Sequence, residues 1–281
     1  CDLPDSQLIE IEELSDFFVE FFEIFKSNDD GIPLISLINK DWALFSKPDQ
    51  SINILQELLV STNFTIKNPK TNVMYVEEIM ECTSYWETLK EDLKWTRRFL
   101  TDINNIFELG WDAFFNKQTE LGEEDVFYRA RIHKKEGEVP YDKELMGCPD
   151  KMLTTSGRAN PLGIPYLYLS QTYDTTFYEI RASYLDEISI GKFRIKKEGK
   201  VVLVDFTESI SPFLNMGNIL QYAKSILLKK YISADLSKPL RRYDSELEYI
   251  PTQFICEFIR YITSADGIIY KSSLHLGGKN I

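Results

Sequence analysis

Val126-Phe127-Tyr128-Arg129-Ala130-Arg131-Ile132 decides how the second half of this chain is read. The stretch alternates, which predicts a β-strand with Arg129 and Arg131 facing the same way, two residues apart. A guanidinium in such apolar company costs free energy unless it is paired or put to work. Outward from it, two more polar residues stand in similar settings. Glu179 follows Tyr166-Leu167-Tyr168-Leu169-Ser170 and Phe177-Tyr178, and Ser272 lies in Asp266-Gly267-Ile268-Ile269-Tyr270-Lys271-Ser272-Ser273. An Arg, a Glu and a Ser converging in one cleft suit a phosphorylated, sugar-containing ligand. The arginine grips phosphate with a planar fork of donors. The glutamate faces positive charge developing on a ribose, and the serine hydrogen-bonds a ligand edge.

Around these residues strands and helices alternate irregularly. Residues 134–150 read as a polar loop and Tyr166–Leu169 as a short strand. Asp174–Ala182 reads as a helix, and Lys192–Ile195 and Val201–Val204 as strands around the turn Glu198-Gly199. Asn215–Tyr231 and Pro251–Thr263 read as helices, the latter with proline at its first turn, and Ile268–Tyr270 as a last strand. The expected fold class is α+β rather than doubly wound.

The first part reads differently. Leu8, Ile11, Leu14, Phe18, Phe21, Phe22 and Phe25 recur at helical spacing between glutamates, with a stop expected near Ser27-Asn28-Asp29-Asp30-Gly31. Short helices are expected at Pro33–Ile38, Trp42–Phe45 and Ile52–Val60, with Asp41 and Ser51 as caps of the last two. Thr62 to Asn72 is turn-rich, and Thr83–Phe115 predicts one long helix or two. The aromatic stripes are read as core. The boundary is expected between 115 and 125, which divides the chain into an acidic helical domain, 1–120, and a mixed domain, 121–281.

Charge follows that division. Residues 1–120 hold 23 acidic and 10 basic side chains, a net of −13 against −12 for the whole chain. Such a balance argues against a broad nucleic-acid surface, which needs clustered Lys and Arg. It leaves a solvated acidic face or a docking face for a basic partner. No apolar run approaches the ~20 residues of a membrane helix. The start lacks the basic region of a signal peptide. Cys1, Cys82, Cys148 and Cys256 are scattered without a CxxC pair, and there are two histidines, His133 and His275. Neither a metal site nor a disulfide framework is expected, and a reducing cytoplasm is the simplest setting. No GxGxxG or GxxxxGK[ST] motif supports a classical dinucleotide or NTP fold.

Taken in order, Phe-Tyr-Arg129-Ala-Arg131, Gly157-Arg158-Ala159-Asn160-Pro161-Leu162-Gly163 with Tyr166-Leu167-Tyr168, Thr176-Phe177-Tyr178-Glu179, and Asp266-Gly-Ile-Ile-Tyr-Lys-Ser272 resemble the RES-domain family over roughly residues 125–281. The resemblance implies a fold similar to ADP-ribosyltransferases and an activity that degrades NAD+, often as a toxin paired with an antitoxin. It implies NAD+ as substrate and no separate cofactor. The helical first domain looks like the amino-terminal extension of longer members, which some classifications group with HEPN domains. Cys1, standing where a methionine would, implies sequence upstream, and in that setting is either the remnant of a zinc-binding segment or a mere chain end. In the family a further strand commonly follows the region where Gly277-Gly278-Lys279-Asn280-Ile281 stand.

The resemblance assigns roles. Arg129, Glu179 and Ser272 are the catalytic candidates, with Tyr168, Arg158, Asn160 and Arg131 binding substrate. Cleaving the nicotinamide–ribose bond develops an oxocarbenium-like cation, which Glu179 would face, unless it holds ribose hydroxyls. Arg129 would clamp the pyrophosphate, Tyr168 stack on nicotinamide or simply pack, and Ser272 bond the amide or its ribose. Arg158 and Asn160 shape the turn or touch phosphate. The histidines are read as bystanders, with His275 close enough to Ser272 to be of interest. Water (glycohydrolase) or phosphate (phosphorylase) would be the nucleophile. The competing readings are ADP-ribose transfer to a macromolecule, an RNA-cleaving HEPN module, which the absence of histidine from 1–120 disfavours, and a non-catalytic nucleotide-binding module. Restraint by an antitoxin or regulatory protein, and a homodimer, follow from the family. No nucleic acid and no membrane are expected as partners.

Overall fold

A computed structural model describes residues 10–45, 47–208, 211–215, 217–239 and 245–281. Cys1 and Leu8 lie outside the described residues. The chain divides into two compact units: residues 1–85 with 209–228, and residues 86–208 with 229–281. Division in space thus differs from a single cut near residue 120, since the first unit takes in a later segment.

In the first unit α1 (Ile11–Glu23) buries Phe18, Phe21 and Phe22, an i, i+3, i+4 stripe. Glu12 and Glu13 in its first turn favour the positive end of the helix dipole. Each fully buried phenylalanine contributes about 2–3 kcal/mol. The helix stops at Glu23, earlier than its periodicity predicts. Residues 25–33 form β1 (Phe25–Pro33), antiparallel to β2 (Asn72–Tyr75). Ser27 and Ile32 both face Val73, so residues 28–31 bulge out of the ladder. The Phe25 ring packs against Tyr75, tilted by 30° with centroids 5.3 Å apart. The helix α2 (Leu34–Trp42) takes in the expected helix at Pro33–Ile38 from Leu34 on, but the helix expected at Trp42–Phe45 does not form beyond Trp42, because Ala43, at φ 48°, ends α2. Pro33 stands at its N-cap rather than in its first turn. Asp41 is not a cap but a buried acceptor for the Tyr75 hydroxyl at 2.9 Å. In α3 (Pro48–Ser61) the helix begins at Pro48, and Ser51, inside it, donates to the Lys47 carbonyl at 2.6 Å. Ile219, Ala223, Ile226 and Leu227, from the start of α9 (Ile219–Leu236), complete this core.

In the second unit the one or two helices expected over Thr83–Phe115 resolve into three, α4 (Glu77–Trp95, in this unit from Trp86), α5 (Ile103–Glu108) and α6 (Trp111–Phe114). Trp86, Trp111 and Phe115 are fully buried. The strands are β3 (Thr119–Leu121), β4 (Val126–Ile132), β5 (Ile188–Arg194), β6 (Val201–Asp205), β7 (Gly267–Lys271) and β8 (Lys279–Asn280). One sheet runs β3-β6-β7-β8, with β6 and β7 parallel, and β4 pairs with β5 from Val126↔Arg194 to Ile132↔Ile188. The fold class is α+β. The turn at Glu198-Gly199 is present, but β5 and β6 pair with different partners. Tyr166–Leu169 is not a strand. Residues 169–171 instead stitch the two sheets together. Leu169 exchanges both backbone bonds with Ile281, and Ser170 exchanges both with Tyr128. The polar loop 134–150 holds one short helix, α7 (Lys143–Met146). The helix α10 (Ile250–Ile262) buries Ile255, Cys256, Phe258 and Ile259, and α8 (Tyr173–Glu179) leaves directly from the seam.

Candidate active site

The seam places one face of polar side chains in line. Tyr128, Ser170, Asn280 and Tyr270 lie directly opposite one another on successive strands, so their side chains share a face. Ser170 Oγ donates to Asn280 Oδ1 at 2.9 Å, and Asn280 Nδ2 donates to Glu179 Oε1 at 2.7 Å. Tyr173 of α8 meets the Tyr128 ring edge-on at 6.2 Å, which sets the helix over this face.

Glu179 is the last residue of α8. The helix starts on Thr172, whose Oγ1 accepts from the Thr175 N–H. It ends in a Schellman turn: Ala182 N–H reaches the Phe177 carbonyl and Arg181 N–H the Tyr178 carbonyl, with Arg181 at φ 53°. Ser272 follows β7, and its hydroxyl donates to Glu179 Oε1 at 2.6 Å. Ser272 Oγ also accepts the N–H groups of Leu274 and His275, at 3.2 and 3.0 Å. Two segments 93 residues apart therefore meet at one carboxylate oxygen. Oε2 takes no hydrogen bond among the described residues. Gly278 closes the turn after Ser272, where a Cβ would lie 2.8 Å from Thr175 Oγ1 and 2.9 Å from His275 Nδ1. His275 does more than stand by. Its Nδ1 bonds Thr175 Oγ1 at 2.8 Å, and its ring stacks on Tyr178 at 4.6 Å and 3°. His133 bonds Ser189 elsewhere.

The Gly-Arg-Ala-Asn loop is a second polar cluster. Asn160 is 3% exposed; its Nδ2 donates to the carbonyls of Thr155, Pro161 and Ile164, and its Oδ1 accepts the Tyr168 hydroxyl at 2.7 Å. Ala159 N–H donates to the Tyr168 oxygen at 3.0 Å. Gln253 of α10 donates to Ser156 and to the carbonyls of Gly157 and Asn160. At Gly157 a Cβ would sit 2.5 Å from Asn160 Oδ1, so only glycine passes here. Burial pushes the Tyr168 phenol well above its ordinary range. Arg158 points the other way, with Nη1 on the Leu236 carbonyl at 2.5 Å and Nη2 on Ser273 Oγ at 3.3 Å. Buried Tyr270 joins the two clusters. Burial raises its pKa, the proximity of Tyr168 and Glu179 adds to that, and Arg158 opposes it.

Arg129 and Arg131 do share a facing, as their spacing requires, and both serve α7. Arg129 Nη1 donates to the carbonyls of Met146 and Gly147, and Arg131 Nη1 to that of Leu145. Arg131 also lies over the Tyr141 ring at 4.9 Å. Burial lowers the Arg129 pKa, and the nearby Arg131 charge adds to that. By the alternation of a strand, Arg129 projects to the face opposite Tyr128, Ser170 and Asn280. Of the seven residues singled out in the sequence, Glu179 and Ser272 touch, as do Asn160 and Tyr168. Arg158 lies beside Ser273, and Arg129 and Arg131 form a separate group. Sequence reasoning missed Asn280 and Ser170. The only signal for Asn280 was an isolated amide two residues after a glycine pair, too short a run for strand periodicity.

The domain is α+β, two small sheets joined at the seam, with the Glu179 carboxylate gripped at one oxygen by Ser272 and Asn280. Residues 126–281, more than half of the chain, match the RES domain, and the chain belongs to the RES-domain family. The RES domain is associated with NAD-related toxin and effector proteins. No curated protein and no solved structure matches the chain. Among the described residues no helix is long and apolar enough to cross a membrane.

Proposed function

We propose that the RES domain of this chain degrades NAD+ by breaking the nicotinamide–ribose bond, with no cofactor beyond the substrate. The observation that carries this reading is the 2.6 Å bond between Ser272 and Glu179, which leaves one carboxylate oxygen without a protein partner among the described residues. Bond cleavage develops positive charge on the ribose. A carboxylate fixed beside that charge stabilises the transition state more than the ground state, and so raises the rate. Nicotinamide departs as a neutral molecule, so the reaction asks for a cation stabiliser and a nucleophile more than for a strong acid.

Arg158 is assigned to the pyrophosphate; Arg129, expected there from the sequence, projects from β4 to the face opposite Asn280, an anchor of Glu179, and is left to hold α7. Arg158 is tied to the Ser272 segment through Ser273. Water or inorganic phosphate enters at the ribose. Continuous loss of NAD+ would poison a host. The reading therefore includes a toxin or defence effector working in the cytoplasm, restrained by an antitoxin-like partner or by assembly as a homodimer.

The test is product identification after purified protein is incubated with NAD+, with and without phosphate. Nicotinamide and ADP-ribose without phosphate mark a glycohydrolase. A strict phosphate requirement with phosphorylated ADP-ribose marks a phosphorylase. Transfer of ADP-ribose to a protein acceptor, or intact NAD+ in every buffer, contradicts the reading.

A further inference from the structure

We propose that Ser272 and Asn280 are positioning residues that act through Glu179, holding its Oε1 so that Oε2 is the oxygen presented to the ligand. This rests on the reading of Glu179 as the group that meets the sugar, and it departs from a serine that touches the ligand itself.

Hydrogen-bond capacity carries the argument. A serine hydroxyl has one hydrogen and two lone pairs. Both lone pairs of Ser272 receive backbone N–H groups, from Leu274 and His275. Its single hydrogen is therefore left for Glu179, at 2.6 Å. Nothing of that hydroxyl remains to bond a nicotinamide amide or a ribose. Asn280 is 4% exposed, beyond ready reach of a ligand. Its amide orientation is set by its neighbours: the oxygen accepts from Ser170 Oγ and the nitrogen donates to Glu179. A flipped amide would point an acceptor at a carboxylate.

Both anchors stand on fixed backbone. Asn280 pairs with Tyr270 across β7 and β8, and Ser272 N–H bonds the Gly278 carbonyl at 2.8 Å. Ser170 is locked to Tyr128 by two backbone bonds. The relay Ser170–Asn280–Glu179–Ser272 thus ties the carboxylate to three strands, and a supporting shell of this kind is what holds a reacting group to sub-ångström tolerance.

The experiment uses the full chain with Ser272→Ala, Ser272→Thr, Asn280→Ala and Ser170→Ala. Three-bond carbon couplings of the Glu179 side chain report its rotamer, and steady-state kinetics with NAD+ report kcat and KM. Wild type should show one Glu179 rotamer, and Ser272→Ala and Asn280→Ala averaged ones. In both, kcat should fall about 10- to 100-fold, the scale of lost orienting groups, while KM stays within about threefold. Ser272→Thr, which keeps the hydroxyl, should recover most of kcat. Ser170→Ala leaves both Glu179 bonds in place and should give a smaller loss, so it serves where Asn280→Ala fails to fold. A single retained rotamer in both alanine variants overturns the proposal. So does a Ser272→Ala enzyme with raised KM and unchanged kcat. If wild type leaves NAD+ intact, the functional reading falls, but the couplings still decide whether these residues position Glu179.

Discussion

Asn160 and Glu179 come from motifs that look equally rich in chemistry, yet the fold uses them in opposite ways. Every side-chain polar atom of Asn160 is consumed by its own segment: three carbonyls on Nδ2 and the Tyr168 hydroxyl on Oδ1. Glu179 is held at one oxygen, with the other unpartnered among the described residues. Satisfied capacity is what a folded interior demands of a buried polar group. Residual capacity on a side chain held this firmly is what a ligand site demands. The comparison separates the residue that builds the scaffold from the residue that is left to react.

The largest effect should come from Glu179→Gln, which keeps the shape and removes the charge. Turnover of NAD+ should fall about 10²- to 10³-fold, the scale of a lost electrostatic contact to a transition state. Its thermal midpoint should stay close to that of wild type, and an equally active variant would erase the contrast. Asn160→Ala should act on stability instead. Orphaning the buried groups around it should cost about 2–4 kcal/mol, read from urea unfolding. Should the variant unfold like wild type, the loop does not depend on this residue. Tyr168→Phe removes only the hydroxyl and should cost about 1–2 kcal/mol, with KM for NAD+ little changed. A KM rise without a stability loss would move Tyr168 from scaffold to substrate contact. Smallest of all, Arg131→Ala breaks one carbonyl bond and a ring contact near the surface. It should cost about 1 kcal/mol or less, and a large loss of NAD+ affinity would show that this arginine serves the ligand as well as α7.

The elements legible in the sequence were those whose pattern is local. The alternation of Val126–Ile132, the apolar runs of β6 and β7, and the helices α8 and α10 all stand where their periodicity puts them. What stayed hidden depends on partners distant in the chain. β1 continues the phenylalanine spacing of α1, so only its pairing with residues 72–75 reveals a strand. The 169–171 seam and the two-residue β8 are too short for any period to register; the seam is fixed by backbone bonds to Tyr128, Lys279 and Ile281, far off in the chain, and β8 by pairing with β7 and with the seam. Within the site, Glu179 and Ser272 were legible as a motif, but their direct bond was not. Asn280 was invisible because a buried amide gains meaning only from what surrounds it. Arg129 and Arg131 were legible as a same-facing pair, whereas their grip on α7 required the helix that residues 143–146 form inside an apparent loop.

The most direct test sets two variants side by side, Glu179→Gln and Asn160→Ala, with nicotinamide release from NAD+ and the thermal midpoint measured on the same preparations, activity at a temperature where both are folded. The account predicts a crossed outcome. Glu179→Gln keeps its midpoint and loses nicotinamide release, and Asn160→Ala loses midpoint and keeps most of its turnover. Nicotinamide release undiminished in Glu179→Gln would contradict it.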